Sequence, residues 1–132
     1  MLKAYLSTLL CFTAVDSLWL GWIAPSFYRA HIGHLMAESP DFFAASLFYL
    51  SYIWGLVYFV ICPIYPLSQK EQVRHAAVFG GITYATFDLT SAAVFKDFSY
   101  LVVGVDILWG VILCSTVTLL LQRLNVITKA QG

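Results

Sequence analysis

"LKAYLSTLLCFTAVDSLWLGWIA", Leu2 to Ala24, decides the fold. Its length is about the 20 apolar residues that a helix needs to cross a hydrocarbon core. One acid, Asp16, sits deep inside it. A cleavable signal peptide has a shorter apolar run and a small-x-small cleavage site. This stretch instead runs on into "IAPSF", so it reads as a permanent transmembrane helix. Three further apolar blocks follow, at roughly 42–64, 75–95 and 100–122. None alternates as a membrane β-strand would.

Only 11% of the 132 residues are charged, against about 25% in a soluble domain. So few charges cannot cover a water-facing surface, which makes the lipid bilayer the expected solvent. Net charge is zero and no basic run occurs, so no nucleic-acid partner is expected. Cys11, Cys62 and Cys114 lie in apolar segments without a C-x-x-C pair. They read as buried thiols, not as a disulfide or zinc framework.

The joints support an all-α, polytopic membrane protein, a single domain over 1–132. Four antiparallel helices are expected, at about 2–24, 42–64, 69–95 and 100–122. Ser39, Pro40 and Asp41 supply an N-cap, a first-turn proline and a first-turn acid before the second. Ser68-x-x-Glu71 is a capping-box pattern that starts the third near Gln69. Pro63 and Pro66 close the second helix. The short "KDFS" turn at 96–99 makes the last two helices antiparallel neighbours. Lys3, Lys70, Arg74, Arg123 and Lys129 fall on one side and Arg29 and Lys96 on the other. That bias places both termini in the cytoplasm.

Three aspartates lie within the spans. Asp16 is eight residues before Ala24, Asp88 seven before Phe95, and Asp106 six after Tyr100. At about 1.5 Å per residue each lies roughly 9–12 Å inside the same boundary. An acid at a helix centre costs about 2.5–3.5 kcal/mol to insert. Three at one depth are therefore expected to meet in one pocket. "AVDSLWLGW" (14–22) and "GVDILWGV" (104–111) share V-D-x-L-W. Asp16 thus shares a helical face with Trp19, and Asp106 with Trp109 and Gly110. On the third helix Gly80, Tyr84, Asp88 and Ser91 form a stripe whose hydroxyls could donate to a carboxylate. Helix two offers Tyr49 and Tyr52.

The first loop, "PSFYRAHIGHLMAESPD" (25–41), is long enough for a short interfacial helix. Its Arg29 reads either as a counter-ion to Asp16 or Asp106, or as a partner for a lipid phosphate. His31, His34 and Glu38, at i, i+3 and i+7, are weak candidates for a metal site; Gly33 interrupts them.

"FYRAHIGHLMA", "LFYLSYIWGLVYF", "YATFDLT" and "VDILWG", following the opening stretch in that order, carry a resemblance. They are similar to an uncharacterised family of small four-helix bacterial inner-membrane proteins, a domain of unknown function. The resemblance covers nearly the whole chain. It implies that Asp16, Trp19, Tyr28, Arg29, Gly33, His34, Tyr84, Asp88, Thr90, Asp106, Trp109 and Gly110 belong to the family pattern. It implies no reaction, and His31 and Glu38 do not stand out in it.

Three readings remain open. The first is a membrane-embedded enzyme or lipid-binding protein. In it Asp16, Asp88 and Asp106 act as acid/base groups or hold a divalent cation, for which oxygen ligands suit Mg²⁺ or Ca²⁺. Trp19, Tyr28, Arg29, His34, Tyr84, Thr90 and Trp109 then contact the substrate. The second is a small proton- or cation-coupled transporter, working as a homodimer because four helices leave little room for a pathway. The third is a structural or accessory subunit.

Overall fold

The computed structural model describes residues 1–127, and every regular element among them is helical. Lys129, counted above for orientation, lies outside the described residues. Helix α1 (Leu2–Leu18) passes through a wide π-type turn (Trp19–Ile23) into α2 (Ala24–Ile32). With a 3₁₀ turn at Gly33–Leu35, the rod is helical from Leu2 to Leu35, 34 residues. The expectation of a first helix ending near Ala24, with a separate interfacial helix in the loop, is corrected: the two are one rod.

Pro25 explains the join. It has no N–H for the Gly21 carbonyl, and its ring would crowd that carbonyl in a regular helix. The Ala24 N–H instead reaches back five residues to the Trp19 carbonyl, and the widened turn absorbs the proline without a break. The same device recurs before Pro63. Helix α3 (Phe42–Leu56) ends in a second π turn, Val57–Ile61, and the Cys62 N–H donates to the Val57 carbonyl at 2.7 Å. This helical run stops at Ile61, short of the expected 64.

Asp41, not Ser39, is the N-cap of α3. Its Oδ1 accepts from the N–H groups of Phe43 (3.0 Å) and Ala44 (3.1 Å), and Pro40 stays outside the helix. Helix α4 (Gln69–Val94) opens on the full capping box. The Ser68 N–H donates to Glu71 Oε2 at 2.9 Å, and the Glu71 N–H to Ser68 Oγ at 3.3 Å. A tight turn with Asp97 at φ 59° leads into α5 (Tyr100–Arg123).

Among the described residues, three stretches are long and apolar enough to cross a membrane: Leu2–Leu35, Phe42–Ile61 and Tyr100–Arg123. Helix α4 is long enough at 26 residues, but Lys70, Glu71, Arg74 and His75 lie in its first two turns. Large apolar side chains point outward all round the molecule, Leu10, Trp22, Phe42, Ile82 and Leu108 among them. Such a surface would aggregate in water and is at ease against lipid tails.

Helices α4 and α5 pack along most of their length, α1 packs on α5 and α3, and α2 on α5. The α4–α5 crossing is close because glycines meet there. A Cβ on Gly80 would collide with the Gly110 carbonyl, and one on Gly110 would lie 2.6 Å from the Gly80 oxygen. Helix α4 closes on the second rod at the π turn Val57–Ile61. There the core is tight: Ile53, Leu56, Val60, Leu113, Val117 and Leu121 are all buried. Gln72 locks that end. Its Nε2 donates to the carbonyls of Val60 (2.9 Å) and Ile61 (3.0 Å), which the helix end leaves free. Gln122 Nε2 donates to Gln72 Oε1 at 2.9 Å. Toward the other end, side chains such as Tyr52, whose hydroxyl meets Thr83 Oγ1 at 2.8 Å, bridge α3 and α4.

Candidate functional site

Between those bridging side chains lies a cavity of about 600 Å³. Trp19, Trp109, Tyr28, Tyr49, Tyr52, Tyr84, Phe48 and Phe87 wall it, with Leu20, Ile32, Met36 and Thr83 completing the lining. Two carboxyls, Asp16 and Asp106, open onto it. Among the described residues no Lys, Arg or His is part of this lining.

The two V-D-x-L-W segments meet inside it. Antiparallel α1 and α5 stack Trp19 on Trp109, with centroids 4.9 Å apart and planes at 15°. Trp109 serves the other segment's acid directly, and Trp19 reaches its counterpart only through Tyr28. Trp109 Nε1 donates to Asp16 Oδ1 at 3.1 Å. Trp19 Nε1 donates to the Tyr28 hydroxyl at 3.4 Å, and that hydroxyl donates to Asp106 Oδ1. The second Asp16 oxygen accepts from the Tyr49 hydroxyl. Asp16 thus accepts a hydrogen bond from α3 and another from α5, and clasps α1, α3 and α5 together.

Asp88 is placed differently. It is fully buried and does not line the cavity. The Asp106 carboxyl lies against it, but no donor from any other residue reaches either Asp88 oxygen among the described residues. The α4 hydroxyls expected to serve the acids do not do so. Thr90 Oγ1 turns back to the carbonyls of Thr86 and Phe87 and is exposed. Tyr84 lines the cavity without bonding an acid.

Arg29 does not line the cavity onto which Asp16 and Asp106 open, the place offered by the first of its two expected roles. Its neighbour Tyr28 meets Asp106, and Arg29 lines an adjoining cavity of about 720 Å³ with Glu38 and Pro40. Leu20, Tyr28 and Met36 are common to both cavities. His34 is exposed on the 3₁₀ turn and lines neither. The helical face proposed for His31, His34 and Glu38 does not form, because the α-helix ends at Ile32 and the chain is extended from Met36. His31 Nδ1 is occupied by the Phe27 carbonyl at 2.8 Å. Among the described residues no three His, Cys, Asp or Glu side chains come together as a metal site, neither this trio nor the three aspartates. Tyr49 is the important partner that the sequence named without assigning; its three-residue spacing from Tyr52 is the signal that puts both on one face.

No curated protein and no solved structure matches the chain. One family model does, that described as "Predicted membrane protein (DUF2177)", over residues 1–121, and the chain belongs to this family of membrane proteins.

Proposed function

We propose that the protein is a membrane-embedded binding protein for a lipid-like, amphipathic molecule, which enters the aromatic cavity sideways between α3 and α4. The supporting observation is the cavity itself: about 600 Å³ of aromatic-walled space with two carboxyls on its wall. That volume lies within the usual range for small-molecule sites. On the α3 and α4 sides its lining includes Phe48 and Phe87, 46% and 61% exposed, so the way in faces the bilayer. In this reading all four long helical runs span the bacterial inner membrane as an antiparallel bundle. Both ends are cytoplasmic, by the bias of Lys3, Lys70, Arg74 and Arg123 against Arg29 and Lys96. Trp19, Tyr28, Tyr84 and Trp109 contact the ligand, and Asp106 meets its polar group.

Native mass spectrometry of the detergent-purified protein tests this. Wild type is expected to retain one amphiphile, and Leu20→Trp, which fills the cavity from its lipid-facing edge, is expected to lose it while staying folded. Equal retention by the two proteins would overturn the cavity as the binding place. The transporter reading has one observation of its own, the unpartnered Asp88 carboxyl against Asp106, which is developed next.

A further inference from the structure

We infer that Asp88 and Asp106 together hold one proton, and that the ligand of the cavity is an amphipathic cation that displaces it. This rests on reading the cavity as a binding site, and it adds the ligand's charge and the coupled ion.

The argument begins with burial. An ionised carboxylate without donors, shut away from water, carries a desolvation cost of several kcal/mol. Asp88 is in that position: 0% exposed, with no donor from another residue at either oxygen. A protonated Asp88 resolves the conflict. Its O–H has one acceptor at hand, the Asp106 carboxyl lying against it. Asp106 then carries the pair's negative charge, supported from the other side by the Tyr28 hydroxyl. Two carboxyls in contact favour sharing a proton, because with no cation beside them each disfavours the other's charge.

Among the described residues, the surroundings supply no competing cation. Helix α5 presents Asp106 to Asp88, and α2 presents Tyr28 behind it. Tyr84 lies one turn before Asp88 on α4. Asp16 on α1 and Tyr49 on α3 belong to the other acid's cluster across the stacked indoles. Lys96 and Asp97, in the turn between α4 and α5, are exposed. Arg29 lines the neighbouring cavity. The cavity therefore has acids and aromatic faces but no basic group on its wall. That is the chemistry that receives an organic cation, through cation–π contact with indole and phenol rings and a carboxylate at close range. A cation arriving at Asp106 adds one positive charge. Release of the shared proton to water restores the site's balance, so one cation enters as one proton leaves.

The test uses the full-length protein in lipid nanodiscs, with tetraphenylphosphonium as the cationic probe and triphenylphosphine oxide as a neutral probe of similar bulk. Calorimetry and a pH indicator in weak buffer follow binding and proton release. For wild type the expected result is tighter binding of the cation than of the neutral probe. Cation affinity should fall by about tenfold per pH unit on the acid side, as competition with a single proton requires, with about one proton released per cation at neutral pH. Asp88→Asn places an amide donor against Asp106 and removes the exchangeable proton. It should bind the cation without proton release or pH dependence. Infrared difference spectra of wild type give a check that needs no variant: the cation should bleach a carboxylic-acid C=O band.

Cation binding that is independent of pH, with no proton released and no band bleached, overturns the exchange and leaves the binding cavity standing. Preference for the neutral probe overturns the cationic ligand class. If neither probe binds, the cationic class fails as well, and retention of an amphiphile by wild type but not by Leu20→Trp decides separately whether the cavity reading survives.

Discussion

The two V-D-x-L-W segments are alike in sequence and unlike in what surrounds their acids. Asp16 has a donor on each oxygen, Tyr49 from α3 and Trp109 from α5. Asp106 has one phenol, Tyr28, and otherwise faces a second carboxyl that no other residue serves. The same five-residue pattern thus yields a satisfied group that joins three helices and an incompletely satisfied group beside a cavity. Natural proteins keep unsatisfied polar groups where function requires them and satisfy them elsewhere. By that criterion we propose that Asp16 is structural and that the Asp88–Asp106 pair is the working part of the site.

The largest effect should come from breaking the satisfied side. Asp16→Leu leaves the Tyr49 hydroxyl and the Trp109 indole N–H without their acceptor, and should cost about 2–4 kcal/mol of stability, read as a lowered unfolding midpoint in detergent. Next come the tryptophans. Both substitutions to Phe weaken the stack, but Trp109→Phe also removes a 3.1 Å bond to a carboxylate, whereas Trp19→Phe removes a 3.4 Å bond to a phenol. Trp109→Phe should therefore cost about 1–2 kcal/mol more than Trp19→Phe; equal losses would mean that the two acids are held alike. Tyr28→Phe should cost at most about 1 kcal/mol, while changing ligand binding more than stability, since the hydroxyl it removes touches the working acid. Thr90→Val, on an exposed side chain bonded only within its own helix, should change stability by less than about 0.5 kcal/mol and leave binding untouched.

How much of this was written in the sequence follows from the same residues. The apolar blocks, the capping box at Ser68 and Glu71, and the facing of Asp16 with Trp19 are local patterns, and local periodicity reveals them. The choice between Tyr28 and Arg29 is not local. In a regular helix of about 100° per residue, Arg29 stands about 80° from Trp19 and Tyr28 about 180° away. The π turn at Trp19–Ile23 accommodates one extra residue, which brings Tyr28 to about 80° and sends Arg29 to the far side. One wide turn before Pro25 thus exchanges the residue that meets Asp106. The metal trio is lost for a related reason: its spacing presumes a helix through Glu38, and the helix stops at Ile32. The pairing of Tyr49 with Asp16 depends on the relative height of α1 and α3, which no periodicity in either helix encodes.

The central claim, that Asp16 is a structural acid and Asp88 a protonated working one, meets its most direct test in two isosteric substitutions measured together. Asn has one acceptor oxygen and one donor group. At position 16 its oxygen can accept from Trp109, but its N–H₂ can only donate to the Tyr49 oxygen and leaves the Tyr49 O–H without its acceptor; at position 88 its N–H₂ reproduces the donor that a protonated Asp88 offers Asp106. Thermal unfolding in the same detergent should show Asp16→Asn with a clearly lowered midpoint and Asp88→Asn with a midpoint close to wild type. A lowered midpoint for Asp88→Asn alongside an unchanged one for Asp16→Asn would contradict the account.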